Sequence, residues 1–389
     1  MLRCVPRTAA VSGKGLRVSL PVLRGTEGPA LDEIAGPDPG RRLRIAQVAP
    51  VAQSIPPGRS GSIETTTALL VDGLVSRGHD VSLFDTASSV TKAKLHAVFA
   101  RGYSEDTSIW PWELCELFNL AAAVERSASF DVIHYQAEYY PMSLAYSRLS
   151  PTPMLQTLHH SPTAPEIALW SRYGEAPFVA VSSEQARLLA GLRVVAVIHH
   201  AVDTAAFAFC PVPHDYLLFL GRFSEGKGVL QAIEAARRTG TRLILAAAEN
   251  EYYRDVVAPH VDQHQIVYVG EVSHAAAATL LGGARALLYP VQAGEPFGLV
   301  MAEAMSCGTP VAALDRGAVH EIVDEGTTGR VFDSLDALVE GLPGVMALDR
   351  AQVRARAVDR FSPDRMVDAY LGVYSGLVAA RAGQVARRA

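Results

Sequence analysis

The sequence has few cysteines, no excess of basic residues and no long apolar run. Its four cysteines, among 389 residues, are scattered and form neither a CxxC pair nor a Cys/His cluster. This pattern indicates reduced thiols and argues against a structural zinc site. A formal net charge of -5 gives no sign of nucleic acid as a partner. Because no stretch of about 18 apolar residues lacks a charge, we expect no membrane-spanning segment and a cytoplasmic location.

The first 40 residues differ from the rest of the chain. They carry five basic side chains and a glycine- and proline-rich run over residues 36–40. Their weakly apolar stretch is too poor for a signal peptide. We expect residues 1–40 to form a disordered N-terminal extension.

From residue 41 onwards, short apolar runs alternate with helical patterns. Near-continuous apolar runs such as Phe178–Ser182 are typical of parallel strands buried on both faces. The alternation stops at a proline-containing stretch without periodicity, residues 201–215, and then starts afresh. The sequence therefore predicts an α/β protein with two doubly wound, Rossmann-like domains facing across a cleft. We place the first domain at 41–205, the second at 216–358, and a helical segment that crosses back to the first at 359–389.

The most informative segment, Glu295–Met305, follows a predicted strand and leads into a helical pattern. Pro296 stands where a helix start tolerates proline, and Gly298 permits close approach of the backbone to a ligand. Backbone N–H groups at such a helix start suit a diphosphate. The carboxylates of Glu295 and Glu303 can accept hydrogen bonds from sugar or ribose hydroxyls. The alternative is an ordinary loop and helix with two surface glutamates.

A second segment, Gly221–Gly228, lies directly after a predicted strand and opens a helix. Its Arg222 and Lys227 can converge on one anion, and both cations would neutralise a diphosphate leaving group. The segment is not a Walker A loop, because GxxxxGK[ST] is absent. A solvated basic turn is the alternative.

These motifs resemble the retaining glycosyltransferases of family 4, which have the GT-B fold. The resemblance is carried by Gly221-Arg222, Lys227-Gly228, Glu295-x7-Glu303, Cys307–Val311 and Gly326–Gly329. It covers residues 41–380 and is most specific in the second half of the chain.

The resemblance implies a donor site in the C-terminal domain. The implied roles are Arg222 and Lys227 for the diphosphate, Glu295 for the donor sugar, Glu303 for the ribose, Phe297, Gly298 and Leu299 for the sugar and phosphates, and Val272 for the base. No metal ligand is implied.

The N-terminal domain is similar to the family in a looser way. Gly61 occupies the first position of the family's Gly-Gly loop, and Ser62 stands at the second. His134-Tyr135-Gln136 resembles the family's His-x-His, with Gln136 at the second histidine position. We therefore take Gly61 as a donor-binding candidate and His134 as a catalytic candidate. His200-Ala201 replaces the family's usual Asn-Gly.

Two further stretches fall on the acceptor side. His159, after the predicted strand ending at Leu158, is a second catalytic candidate; a structural histidine pair with His160 is the alternative. Their adjacent side chains diverge, so we expect no metal site. We expect the mildly basic stretch Thr91–Arg101 to be a solvated helix or loop, with an acceptor or membrane contact as the alternative.

The resemblance implies a metal-independent hexosyltransferase that retains the configuration at the anomeric carbon. Its co-substrate would be a nucleotide diphosphate sugar, with uridine as the expected base, and no separate cofactor would be needed. The acceptor would be the hydroxyl of a small molecule or a saccharide. Two alternatives stay open: a non-catalytic sugar-nucleotide-binding protein and a GT-B sugar-nucleotide epimerase. The sequence leaves the acceptor, the donor sugar and the oligomeric state undefined.

Overall fold

Two parallel β-sheets organise the chain in the computed structural model, which describes residues 41–58, 61–109, 111–137 and 140–388. The predicted extension, residues 1–40, lies outside these ranges. Within them, the strands of the first sheet are β1 (Arg44–Val48), β2 (Asp80–Asp85), β3 (Lys94–Ala97), β4 (Val132–Tyr135), β5 (Met154–Thr157), β6 (Pro177–Ala180) and β7 (Arg193–Val197). Those of the second are β8 (Leu217–Leu220), β9 (Leu243–Ala246), β10 (Ile266–Tyr268), β11 (Ala286–Tyr289), β12 (Val311–Leu314) and β13 (Gly329–Phe332).

Both sheets have the strand order of a doubly wound fold. The first has the order β3-β2-β1-β4-β5-β6-β7, and the second has β10-β9-β8-β11-β12-β13. All named strand pairs are parallel. The order reverses between β1 and β4 and again between β8 and β11. Ligands of open α/β sheets bind beyond the carboxyl ends of the strands at such points.

Helices cover the two faces of each sheet. They are α1 (Ser62–Ser76), α2 (Trp112–Val124), α3 (Tyr140–Leu149), α4 (Ala164–Trp170), α5 (Ser183–Leu188), α6 (Val229–Thr239), α7 (His274–Gly283), α8 (Leu299–Ser306), α9 (Val319–Ile322), α10 (Leu335–Met346), α11 (Arg350–Phe361) and α12 (Pro363–Arg388). Successive strand residues enter different cores: Ile45 packs in one apolar cluster and Ala46 in another. Burial on both faces explains why these strands are almost uninterrupted apolar runs.

The last helix returns to the first domain. Tyr370 and Tyr374 of α12 are buried in the same core as α1 and β1. A Cβ at Gly73 of α1 would overlap the side chain of Val367, so this glycine lets the two helices approach closely. Where α11 meets α12, the Val202 N–H donates to the Phe361 carbonyl at 2.9 Å. The chain therefore crosses between the domains twice, at neighbouring points.

The expectation for Thr91–Arg101 is wrong in part. Lys94–Ala97 forms β3, an edge strand that pairs with β2. Its middle residues, Leu95 and His96, are partly buried, and its two end residues are exposed. Its Lys94 Nζ lies 2.8 Å from Asp80 Oδ1 on the neighbouring strand. A short edge strand that begins with a lysine lacks the apolar run by which buried strands are recognised. The strand β13 was likewise not predicted.

Candidate active site

Two loops flank the strand-order reversal of the second sheet. Residues 221–228 follow β8, and residues 290–298 follow β11. The Gln292 N–H donates to the Gly226 carbonyl at 2.8 Å, which ties the two loops together. The loops that carry the two sequence motifs therefore meet at the point where the fold class places its ligand.

Lys227 and Glu295 are in direct contact between these loops. Lys227 Nζ lies 2.5 Å from Glu295 Oε1, and both side chains are about one quarter exposed, at 28% and 26%. Arg222 is exposed and makes no ion pair or hydrogen bond with the residues that the structure describes. The structure thus brings Lys227 and Glu295 together, as a cation and a carboxylate in contact. The exposed Arg222 guanidinium, five residues earlier in the chain, is available to an anion.

Two glycines shape the loop ends. Gly228 precedes α6 with φ of 73°, and a Cβ there would overlap the Pro290 carbonyl oxygen. Gly298 precedes α8 with φ of 80°, and a Cβ there would lie 2.5 Å from the Tyr289 hydroxyl oxygen. Both positions need the left-handed backbone and the missing side chain. They bring the starts of α6 and α8 close to β11.

Tyr289, the last residue of β11, was predicted as no more than a strand residue. Its hydroxyl donates to Glu295 Oε2 at 3.2 Å, so Glu295 is held on one oxygen by Lys227 and on the other by Tyr289. Burial and the neighbouring Glu295 charge raise the pKa of Tyr289 well above its usual range. The phenol is therefore a permanent donor. A tyrosine in an apolar strand gives no sequence signal for this role.

The other residues that the family resemblance assigned to the donor lie in the loop before α8, on α8 and after β10. Glu303, on α8, is partly buried, and desolvation raises the pKa of its carboxyl to about 7. Its carboxyl oxygens make no hydrogen bond or ion pair with the described residues. Leu299 is the first residue of α8, and Phe297 before it is buried. Val272 follows β10, the edge strand of the sheet.

The first domain contributes a group of aromatic and polar side chains at its own carboxyl edge. His159 follows β5, and its Nε2 lies 3.2 Å from Gln136 Oε1. Its ring stacks on His200 at 5.2 Å between centroids, and His200 meets the ring of Phe297 edge-on at 5.1 Å. Burial first, and the neighbouring histidines next, lower the pKa of His159 well below its usual range. The neutral His159 ring therefore contacts His200, which in turn contacts Phe297 in the loop after β11.

Gly61 lies immediately before α1. A Cβ at this position would collide with the side-chain amide of Gln53 and lie 2.7 Å from Glu64 Oε2. Its extended backbone, with φ of -177°, is open to any residue. Space, and not backbone conformation, is thus the reason for glycine here.

His134, a catalytic candidate from the sequence, lies in the core of the first domain. The side chain is fully buried, with Nδ1 2.7 Å from Tyr374 Oη and Nε2 2.7 Å from Thr157 Oγ1. Burial lowers its pKa to about 3, so the ring is neutral. Both ring nitrogens are engaged in the core under α12. Through these two contacts His134, on β4, links the last helix to β5.

Comparison with known proteins decides the family. A sequence-family model described as "Glycosyl transferases group 1" matches residues 211–358, and one described as "Glycosyltransferase Family 4" matches residues 63–206. The chain belongs to the family 4 glycosyltransferases. It is therefore a transferase enzyme, as the motifs around Lys227 and Glu295 predicted.

Curated glycosyltransferases resemble the chain over most of their length. It is 28% identical over 352 residues to a phosphatidyl-myo-inositol mannosyltransferase of Mycolicibacterium smegmatis, covering 82% of this chain and 89% of that protein. It is 24% identical over 422 aligned positions to a D-inositol 3-phosphate glycosyltransferase of Mycobacterium tuberculosis, covering 90% of this chain and 86% of that protein. The similarity spans both domains.

Solved structures confirm the predicted GT-B fold. A glycosyltransferase involved in avilamycin A biosynthesis matches with a TM-score of 0.66 and 26% identity, over 87% of this chain and 98% of that one. An Anabaena protein solved in complex with UDP and glucose matches with a TM-score of 0.64 and 16% identity, over 86% of this chain and 100% of that one. At 16% identity, the second match shows the fold alone.

One contact of this glycosyltransferase was not predicted from its sequence and joins the two domains. Glu321 of α9 accepts hydrogen bonds from the Ser183 N–H at 2.7 Å and the Ser183 hydroxyl at 2.9 Å, and its Oε1 lies 2.7 Å from His199 Nε2. Ser161 Oγ also donates to the Gly294 carbonyl at 3.4 Å. Nothing in the sequence indicated a contact between the domains at Glu321.

Two searches of the described residues gave no candidates. None of the helices there is long and apolar enough to cross a membrane. No group of three or more His, Cys, Asp or Glu side chains in the same ranges could hold a metal ion.

Proposed function

We propose that this glycosyltransferase moves a hexose-type sugar from a nucleotide diphosphate sugar to a hydroxyl of a small molecule or saccharide, with retention at the anomeric carbon. The contact between Lys227 and Glu295 carries the proposal. It places a cation suited to a diphosphate and a carboxylate suited to sugar hydroxyls side by side at the start of α8. Uridine is the proposed base.

The leaving diphosphate is stabilised by the protein's own charges. Arg222 and Lys227 neutralise it, and the N–H groups at the start of α8 add donors. These cations fill the role that a divalent metal fills in other transferases, so we propose a metal-independent reaction. Glu303 accepts hydrogen bonds from the ribose, and Val272 lies against the base.

The sugar transfer breaks one bond and forms one at the same face of the sugar. The bond between the anomeric carbon and the diphosphate oxygen loosens, and positive charge builds on the ring. The acceptor hydroxyl oxygen then bonds to the anomeric carbon, and its proton passes to an oxygen of the leaving diphosphate. Glu295 faces the sugar and, on this account, holds its hydroxyls while the charge develops.

The donor is tested with a panel of UDP-, GDP- and ADP-sugars against cyclitols, cyclitol phosphates and monosaccharides. The relatives' names, which mention phosphatidyl-myo-inositol and D-inositol 3-phosphate, direct the acceptor choice. We expect release of nucleoside diphosphate that depends on an acceptor, with UDP-sugars the fastest donors, and no loss of rate on addition of EDTA. NMR of the product should show the anomeric configuration of the donor. An inverted product, or a rate abolished by EDTA and restored by Mg²⁺, would contradict the proposed mechanism.

A further inference from the structure

Tyr289 occupies an unusual place beside the Lys227–Glu295 contact. It ends a central strand, is 5% exposed, and packs its ring in the apolar core that also holds Phe297 and Met301. Its single polar atom reaches out of that core to Glu295 Oε2. The start of α8 leaves room for this hydroxyl because residue 298 is glycine. A Cβ at Gly298 would lie 2.5 Å from the hydroxyl oxygen.

The two partners of Glu295 differ in what they can do when a ligand arrives. Lys227 is a flexible cation whose Nζ contacts Oε1, and a diphosphate would compete with Glu295 for it. The Tyr289 hydroxyl belongs to a rigid, buried ring, and its neutral O–H is a poor counter-ion for a diphosphate. Donor binding therefore removes one partner of Glu295 and leaves the other in place.

We propose that Tyr289 is the positioning residue that keeps the Glu295 carboxylate aimed at the donor sugar once Lys227 has turned to the diphosphate. This inference rests on the proposed function. Lys227 and Glu295 contact each other, and the donor splits this pair. One oxygen of Glu295 then stays fixed by Tyr289, and the other becomes free to accept a sugar hydroxyl. Without the phenol, Glu295 would follow Lys227 or rotate into solvent.

Tyr289→Phe tests the role because it removes one oxygen atom and keeps the ring in its core. Loss of a hydrogen bond to a charged group predicts that kcat falls by roughly 10- to 100-fold. The Kd for the nucleoside diphosphate, which lacks the sugar, should stay within about twofold, since Arg222 and Lys227 are intact. A variant with normal kcat, or one that loses affinity for sugar-free nucleoside diphosphate, would overturn the inference.

Tyr216→Phe is the matched control. Tyr216 is also buried, at 9% exposure, and its hydroxyl donates to the Leu280 carbonyl at 2.8 Å. Its loss should lower Tm without lowering kcat. If Tyr289→Phe behaves like this control, Tyr289 is merely structural.

A second pair of variants does not depend on turnover. A Cβ added at Gly298 would collide with the Tyr289 hydroxyl. Gly298→Ala should therefore lower Tm more in the wild-type protein than in the Tyr289→Phe variant. Equal losses would show that the hydroxyl does not occupy this place. Failure of the proposed function gives a different pattern: wild-type protein that binds no nucleotide diphosphate sugar, with the Tm difference between the two backgrounds unchanged.

Discussion

Gly228 shows how a single missing side chain shapes the donor site. Its left-handed backbone, with φ of 73°, follows Lys227 directly and turns the chain into α6. Its bare Cα lies against the Pro290 carbonyl, and Gln292 binds the neighbouring Gly226. A larger residue would push the two loops apart, and the Lys227–Glu295 contact depends on their spacing.

Gly228→Ala should therefore destabilise the protein beyond the cost of backbone strain. Gly240→Ala is the matched control, because Gly240 has φ of 64° but open space around its Cα. We expect the control to lower the free energy of unfolding by about 1–2 kcal/mol, and Gly228→Ala to lower it further. Urea unfolding of both variants measures this. Equal losses would show that the contact with Pro290 does not constrain the loop.

At the scale of single residues, the structure brings together Lys227 and Glu295, which the sequence motifs singled out. Lys227 and Glu295 stand in motifs whose spacing is set by local loops, so they could be found from their neighbours in the chain. His134 could not, since its surroundings come from Tyr374, 240 residues away in the sequence. Tyr289 could not either, because a tyrosine at the end of an apolar strand has the same pattern whether or not its hydroxyl is used.

At the scale of elements, the buried strands were predictable and the exposed ones were not. Strands such as β8 and β11 are continuous apolar runs because both faces are covered. The edge strand β3 has Lys94 and His96 where a buried strand would have apolar residues. Its pairing with β2 is not encoded in a local pattern. The contact between helix α1 and α12 is likewise a long-range feature that no local pattern encodes.

The loop after β1 depends on two buried carboxyls. Glu116 Oε1 accepts the Val51 N–H at 3.0 Å, and Asp85 Oδ2 accepts the Ser89 hydroxyl at 2.7 Å. Ser89 Oγ in turn accepts the Ile55 N–H at 2.9 Å. Burial raises the pKa of Asp85 to about 7 and the pKa of Glu116 to about 8. Below these pKa values, both carboxyls are therefore neutral in the folded protein.

These raised pKa values predict a stability that falls as pH rises. Unfolded carboxyls lose their protons near pH 4, whereas the folded ones keep them to about 7 and 8. The folded state binds more protons in between, so its advantage is full below about pH 4 and is lost as pH rises through the folded values. Urea unfolding between about pH 5 and pH 8 measures the slope.

Glu116→Gln is the control for this pH dependence. The amide oxygen can still accept the Val51 N–H, but the side chain no longer titrates. We expect a shallower loss of stability with pH than in the wild type. Identical slopes would mean that Glu116 is already ionised in the folded protein.

At the scale of the whole molecule, polar contacts at Glu321 help to join the two domains. Glu321 accepts two hydrogen bonds from Ser183 and contacts His199, all across the domain boundary. These contacts, together with the rings of His200 and Phe297, join the first domain to the second. Contacts of this kind set the balance between open and closed arrangements of two-domain enzymes.

Glu321→Ala should shift the molecule towards a more open arrangement. We expect a larger radius of gyration by small-angle X-ray scattering and a kcat lowered by about tenfold, because each hydrogen bond to a carboxylate is worth about 1.5–3 kcal/mol. Glu340→Ala is the control: Glu340 is exposed on α10 and makes no ion pair or hydrogen bond within the described residues. Scattering and kcat equal to those of the control would show that Glu321 does not hold the domains together.

The central claim is that Lys227 and Glu295 form the donor site, and the transfer rates of Lys227→Ala and Glu295→Ala test it most directly. Both side chains are partly exposed, so neither variant should unfold, and circular dichroism checks this. Arg242→Ala removes an exposed cation at the opposite end of the same sheet as a control. We predict wild-type transfer in the control and a fall of at least about a hundredfold in both site variants. Near-normal transfer in either site variant would contradict the account.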